Sequence, residues 1–186
     1  MAIQLQKGQR LSIGLSKVCV GLGWDPNPNA STYDYDLDAS AFLLNAGGKI
    51  PRDEYFVFYN NQKSPDGSVE SSGDDTTGGN SDGGDDETLT VDLNIIDPKI
   101  EQIIFVVTIY DCKNRKQNFG QVRNSYIRIY DANTNEEICK YDLDEDYSIE
   151  TSVEFGRLYK RDNEWKFEAM GVGYPQELDF FVQKYT

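Results

Sequence analysis

The sequence predicts an all-β protein, a two-sheet β-sandwich with a long acidic loop and a short C-terminal helix. Several segments alternate apolar and polar residues with the period of two that a half-buried strand requires. The 186 residues include 16 glycines, and 12% of the chain is aromatic. This composition is typical of strands joined by turns. At this length a single domain, residues 1–186, is the simplest organisation.

The expected strands follow one another along the whole chain. They are predicted at 11–15, 37–43, 55–60, 89–93, 102–111, 126–130, 152–159 and 165–171. The segment QIIFVVTIYD at 102–111 is continuously apolar, which indicates a central strand covered on both faces. With turns such as AGGK and DANTNEE, roughly nine or ten strands fit a sandwich.

The C-terminal segment PQELDFFVQKY is the one clear helix signal. Pro175 suits a first helical turn, and four apolar side chains then fall on one helix face. These side chains are Leu178, Phe181, Val182 and Tyr185. We expect this face to pack on the core rather than to fill a groove on a partner.

The acidic charge is concentrated in two stretches that contain no Lys or Arg. Ten acids lie between Lys63 and Lys99 and four between Lys17 and Lys49, which together equal the net charge of −14. Such a concentration repels phosphate groups, so we expect no binding to nucleic acid or to an anionic membrane. It favours a cation as ligand.

Cysteine use and the N-terminus indicate where the protein works. The three cysteines form no CxxC pair and are too few for a disulfide framework, which favours a reducing compartment. The N-terminal residues lack an apolar signal region, and no segment has the roughly 18 apolar residues of a membrane helix. We therefore expect a cytoplasmic protein without direct membrane insertion.

The segment GDDTTGGNSDGGDDETLTVD, residues 73–92, allows two interpretations. Its composition suits a solvated loop, and it equally suits a calcium site, since calcium takes six to eight oxygens and glycines permit a tight fold. The first acidic turn (73–75) and the second acidic turn (84–87) are both dense in carboxylates. Because a strand follows at once, the second turn is fixed to a sheet edge, which favours the cation site.

A second acidic group lies at the start of the strand at 37–43. Asp34, Asp36 and Asp38 alternate with apolar residues, so their side chains share one face of the strand. If the loop at 73–87 folds over this strand end, both groups form one site with room for two ions. Nothing local in the sequence fixes that distance.

The sequence argues against an enzyme. It contains no histidine, which removes Ser-His and Cys-His nucleophile pairs and His-ligated metals. Cys112 follows the central strand and is interpreted as a small buried hydrophobe. Two alternatives stay open, a hydrolase that uses two metals held by carboxylates alone and a metal-independent scaffold or small-ligand module.

In order and spacing, eight motifs resemble the TerD family of tellurite-resistance and stress-response proteins. They are VGLGWD (20–25), DLDASAFLL (36–44), FVFYNN (56–61), SVESSGD (68–74), GDDETLTVDL (84–93), QNFGQVRNSYIRI (117–129), YDLDEDYSIETSVEFGRLY (141–159) and EWKFEAMGVGY (164–174). The resemblance covers nearly the whole chain and implies a β-sandwich that binds calcium, usually two neighbouring ions. It also implies partners among other proteins of a stress-response complex.

Carried over by motif, the resemblance gives nine candidate calcium ligands. They are Asp25, Asp36, Asp38, Asn60, Asp74, Asp75, Asp85, Asp86 and Glu87. Two departures from the family pattern matter. The loop between the acidic turns is about two residues longer than usual, which leaves the role of Asp82 open. Ser71 stands where many relatives carry histidine, so that position is not expected to bind an essential metal.

Overall fold

The computed structural model describes residues 7–29, 32–79 and 84–186, and these form a two-sheet β-sandwich. The strands are β1 (Arg10–Ser12), β2 (Lys17–Gly23), β3 (Leu37–Leu44), β4 (Phe56–Val57), β5 (Val69–Ser71), β6 (Glu87–Asp92), β7 (Gln102–Ile109), β8 (Tyr126–Asp131), β9 (Glu137–Asp142), β10 (Ser152–Arg161) and β11 (Glu164–Tyr174). The helices are α1 (Cys112–Arg115), α2 (Leu143–Asp146) and α3 (Leu178–Tyr185), with 3-10 turns at Asp53–Tyr55 and Phe119–Gln121. The all-β sandwich predicted from the sequence is confirmed.

The strands pair antiparallel throughout both sheets. The six-stranded sheet has the order β1-β11-β10-β7-β3-β4, and the five-stranded sheet has the order β5-β6-β2-β8-β9. The main core lies between the sheets. Alternate residues of each strand enter it, for example Leu89 and Val91 of β6 and Ile127 and Ile129 of β8.

Strands β3 and β7 are buried on both faces, which explains why the segment at 102–111 is continuously apolar. One face of this strand pair packs in the main core. On the other face Phe42, Ile104 and Val106 pack against Phe181 and Tyr185 of α3, which lies across the six-stranded sheet. The expected core-packing role of this helix is confirmed.

A buried carboxylate also fixes α3 to the sheet. Glu154 of β10 is 1% exposed. Its oxygens accept hydrogen bonds from Lys184 Nζ at 2.6 Å, from the Tyr174 hydroxyl at 2.7 Å and from the Tyr185 hydroxyl. A buried charge needs such partners, so this network and the apolar contacts together determine where α3 lies.

The observed strands differ from the predicted ones in local detail. β1 ends at Ser12 although the alternation continues to Leu15, because only residues 10–12 pair with β11. β4 covers only two residues of the aromatic segment at 55–60. Phe58 and Asn61 exchange backbone hydrogen bonds at 3.0 and 2.9 Å, which closes a turn and ends the strand.

Strands β2, β5 and β9 are not among the predicted strands, and the predicted start of α3 is too early. Thr151 N donates to Tyr174 O at 3.0 Å, so the chain still pairs with the sheet there and the helix begins only at Leu178. Pro175 therefore precedes the helix. No helix among the described residues has the length and apolar character needed to cross a membrane.

We predict that Phe181→Ala lowers the free energy of unfolding by about 3–5 kcal/mol, because it leaves a cavity beneath α3 where Phe181 is fully buried. Gln183→Ala, an exposed change in the same helix, is the control and should shift it by less than about 0.5 kcal/mol. Urea denaturation of both variants measures the difference. Equal effects would show that α3 does not pack as described.

Candidate functional site: an acid cluster at the edge of the sandwich

Three carboxylates converge at one edge of the sandwich. Asp36 precedes β3, Asp38 is its second residue, and Asp74 belongs to the first acidic turn. Each offers a carboxylate oxygen, and these oxygens all lie within 4.8 Å of one another. We call these three residues the acid cluster. Asp36 and Asp38 are buried, at 7% and 3% exposure, while Asp74 is exposed.

The fold of the loop at 73–79 brings Asp74 to β3. Glu87, at the start of β6, points into the sandwich and is 3% exposed. One carboxylate oxygen accepts the backbone N–H of Ala39 in β3 at 2.9 Å, and the other accepts the N–H of Asp75 at 3.1 Å. Since β4 pairs only with residues 41 and 42 of β3, the Ala39 amide is available for this contact. Glu87 thus connects both sheets to the first acidic turn.

The side chain of Asp75 shapes the same loop. Its Oδ1 accepts hydrogen bonds from Thr77 N at 2.9 Å and Gly78 N at 3.0 Å, an Asx-type turn. Gly78 has a φ of +68°, and a Cβ there would lie 2.5 Å from the Trp24 ring. Only glycine fits both constraints. Asp75 and Gly78 therefore anchor this turn on the sandwich, while Asp74, Thr76, Thr77 and Gly79 are exposed.

Asp85 lies apart from the acid cluster, in an ion pair on the outer face of the five-stranded sheet. Its carboxylate accepts hydrogen bonds from Arg128 Nε at 2.9 Å, Arg128 Nη2 at 3.0 Å and the Tyr126 hydroxyl at 2.9 Å. It fills the space above Gly21, where a Cβ would lie 2.1 Å from the carboxylate. These contacts fix the second acidic turn to the sheet.

Two other candidates also have protein donors. Asp86 Oδ2 accepts Trp24 N at 2.8 Å, and Asp25 Oδ2 accepts Asn124 Nδ2 at 2.6 Å. Asp34 was expected on the same strand face as Asp36. However, β3 starts only at Leu37, so Asp34 precedes the strand. Its carbonyl accepts a hydrogen bond from Gln117, and it lines a cavity with Asp36 and Arg115. Asp82 lies outside the described residues.

Arg115 is a cation beside the acid cluster that sequence reasoning missed. It ends α1, and its Nη1 approaches Asp36 Oδ2 at 3.4 Å. The guanidinium lies over the rings of Tyr33 and Tyr110, at 5.5 and 5.1 Å from the ring centroids. No spacing in the sequence connects Arg115 to Asp36, because α1 and β3 meet only through the order of strands in the sheet.

A cavity of about 330 Å³ opens at the acid cluster. Besides the three carboxylates, its lining includes Tyr59, Asn60 and Tyr110. The carboxylate and amide side chains offer oxygen donors, which are the atoms that hard divalent cations prefer. Of the nine sequence-predicted residues, the structure brings four together here: Asp36, Asp38, Asn60 and Asp74.

Burial and mutual repulsion change the protonation of these acids. Burial, with a smaller contribution from the charges of Asp36 and Asp74, raises the pKa of Asp38 to about 8. Burial raises the pKa of Glu87 to about 9, against the lowering effect of the Ala39 N–H bond. Burial raises the pKa of Asp36 to about 6, and the Arg115 charge limits that rise. A bound cation would favour the ionised forms.

The comparisons with known proteins agree with this architecture. The model of the TerD domain family matches residues 1–185 of this chain. The chain is 49% identical to general stress protein 16U of Bacillus subtilis (strain 168), over 94% of this chain and 92% of that protein. It is 46% identical to tellurium resistance protein TerD of an Alcaligenes species, over 100% and 97% of the two chains.

A solved structure, a homologue of telluride resistance protein (TerD) from Streptomyces coelicolor A3(2), superposes with a TM-score of 0.77 and 25% identity. The match covers 91% of this chain and 96% of that one. By its fold and site, this protein is of the class of two-sheet β-sandwiches that bury carboxylates at one edge. The chain belongs to the TerD family, as the motifs in its sequence indicate.

We predict that the metal-free protein loses stability as pH rises from about 4 to about 9. The native pKa values of Asp38 and Glu87, about 8 and about 9, lie above the ordinary values of 3.8 and 4.5. The native state therefore binds more protons than the unfolded state in this interval, so the free energy of unfolding falls with pH. Urea denaturation at a series of pH values, with chelator present, measures it.

The matched variant for this test is Asp38→Asn, which removes one of the two titrations and should flatten the decline. A stability that rises between pH 6 and pH 9 in the wild-type protein would contradict the described burial of these acids.

Proposed function

We propose that this protein is a calcium-binding module of the bacterial stress response that acts by binding rather than by catalysis. Relatives at 46–49% identity are named as general stress and tellurium resistance proteins, which supports the biological setting. The observation that carries the calcium assignment is the acid cluster itself, where Asp36, Asp38 and Asp74 present oxygens within 4.8 Å of one another at partial burial.

The donors at the acid cluster fit calcium. Asp36, Asp38 and Asp74 would hold the ion with their carboxylates and Asn60 with its amide oxygen, and the cavity leaves room for the water ligands that calcium accepts. When bound, calcium supplies positive charge that neutralises the cluster. Magnesium demands a smaller octahedral shell and gives up water reluctantly, so the protein should prefer calcium.

Three of the remaining candidates would position the site without contacting the ion. Glu87 and Asp75 position the first acidic turn through the contacts at 2.9–3.1 Å described above. Asp85 fixes the second acidic turn through Arg128. We propose that ion occupancy rigidifies these turns and so presents a fixed surface to other proteins of a stress-response complex.

A calorimetric titration of chelator-stripped protein tests the assignment. We predict saturable calcium binding, weaker magnesium binding, and at least about a tenfold loss of calcium affinity in Asp74→Asn, which keeps the shape of the side chain but removes a charged ligand. Asp162→Asn is the matched control, because Asp162 lies in the exposed turn between β10 and β11 with 82% side-chain exposure. It should bind like wild type.

Binding should also raise stability by mass action, by about 2.7 kcal/mol at a hundredfold excess of free calcium over the dissociation constant. An unchanged melting temperature across the titration would reject the assignment. Turnover of phosphoesters that depends on metal and disappears in Asp74→Asn would instead support the carboxylate-only hydrolase.

We further predict that Arg115→Gln raises calcium affinity several-fold. Arg115 places a positive charge 3.4 Å from Asp36, where it repels the incoming ion and competes for the same carboxylate. Titrations at low and high salt measure the effect, which should shrink as salt screens the charge. A lower affinity in this variant would show that Arg115 organises the site more than it opposes the ion.

A further inference from the structure

A second cavity, of about 240 Å³, adjoins the acid cluster and extends from it to the start of α3. Its lining includes Asp38 and Thr108 of the six-stranded sheet, the rings of Tyr59 and Tyr110, and Asp179 of α3. We call this cavity the α3 cleft. It shares Asp38, Tyr59 and Tyr110 with the cavity at the acid cluster but contains neither Asp36 nor Asp74.

Thr108 gives the α3 cleft a polar group that no described residue satisfies. It pairs with Asp38 across β3 and β7, so the two side chains stand next to each other on the outer face of the sheet. Thr108 is 1% exposed, and its Oγ1 has no hydrogen-bond partner within residues 7–29, 32–79 and 84–186. A buried hydroxyl without a partner destabilises the fold, so the position indicates a ligand with hydrogen-bonding groups.

The charges around the cleft select a cation. Its lining contains four carboxylates, those of Asp38, Asp111, Glu177 and Asp179. Two cations lie nearby: Lys113 Nζ pairs with Glu177 at 3.0 Å, and Arg115 Nε lies 4.0 Å from Asp111. These leave the cleft negative, since Asp179 has no such ion pair among the described residues, and an anionic ligand would be repelled.

The remaining lining selects an organic cation. The rings of Tyr59 and Tyr110 stand at 89° to each other with centroids 6.1 Å apart, and Ile109 and Leu178 add apolar surface. A metal ion gains little from such walls because it prefers oxygen ligands. An ammonium group on a hydrocarbon chain is stabilised by both kinds of wall, because the aromatic faces attract its charge and the apolar side chains bury its methylene groups.

We propose that the α3 cleft binds an alkylammonium group. The ammonium donates hydrogen bonds to the Asp38 carboxylate and the Thr108 hydroxyl, and the methylene chain lies against Tyr59 and Tyr110. The ligand is either a free alkylamine or the side chain of a lysine on another protein, which present the same chemistry. The inference does not depend on calcium binding.

Calorimetric titration of chelator-stripped protein with 1,4-diaminobutane tests the proposal. Saturable binding is expected, and 1-butanol, which is neutral, should not bind. Thr108→Val keeps the shape of the side chain and removes the hydroxyl. It should weaken diaminobutane binding by about tenfold or more, while raising the melting temperature of the ligand-free protein.

Thr88→Val is the matched control, because Thr88 is a half-buried strand threonine on the other sheet and does not line the cleft. It should leave diaminobutane binding unchanged. Titration with a lysine derivative blocked at both backbone ends separates the two sources. Tighter binding than diaminobutane would identify a protein lysine as the ligand, and weaker binding would identify a free amine.

Asp74→Asn separates this proposal from the calcium assignment. This variant should weaken calcium binding more than diaminobutane binding, since Asp74 is a calcium ligand in the proposed site but only a neighbouring charge for an amine in the α3 cleft. The proposal is overturned if diaminobutane fails to bind up to about 10 mM. It is equally overturned if Asp74→Asn abolishes amine binding while Thr108→Val does not, because the amine would then occupy the acid cluster.

Discussion

The central constraint on this structure is the electrostatic repulsion among the carboxylates of Asp36, Asp38 and Asp74 at one edge of the sandwich. Two unit charges 4 Å apart repel by about 4 kcal/mol at an effective dielectric constant of 20. The three carboxylates offer oxygens within 4.8 Å of one another. Arg115 partly neutralises this charge through a contact of 3.4 Å with Asp36. Protonation or a bound cation must offset the remaining repulsion, and the raised pKa values of Asp36 and Asp38 favour protonation when no cation is bound.

The contacts around the acid cluster keep its three carboxylates from moving apart. Glu87 accepts amide hydrogens from β3 and from the first acidic turn, so the turn cannot move away without leaving a buried carboxylate unsatisfied. Gly78 packs on Trp24 on one side of this turn, while the Asp85–Arg128 pair fixes the second acidic turn on the other. Because these contacts fix both turns, a bound ion would relieve the charge at the cluster without movement of the chain.

How far the sequence predicts this arrangement depends on the range of each contact. The two-residue period predicts that Asp36 and Asp38 lie on one face of the strand and Leu37 and Ala39 on the other. In the structure Leu37 and Ala39 enter the main core and the two acids do not, because successive strand residues point to opposite faces. The meeting of Asp74 with Asp38 has no local signal, since it follows from the packing of the loop. Asp85 shows the same limit. A carboxylate in an acidic turn suggests a metal ligand, but its partner Arg128 is 43 residues away, on a strand whose neighbours only the fold determines.

The most direct test of the account is a crystal structure of the protein grown with calcium after removal of all metal. We predict an ion with Asp36, Asp38 and Asp74 oxygens at about 2.3–2.6 Å, Glu87 still bonded to Ala39 and Asp75, and Arg115 displaced from Asp36. An ion bound instead by Asp85 and Asp86, or an acid cluster that stays empty at saturating calcium, would contradict the claim that this cluster is the calcium site.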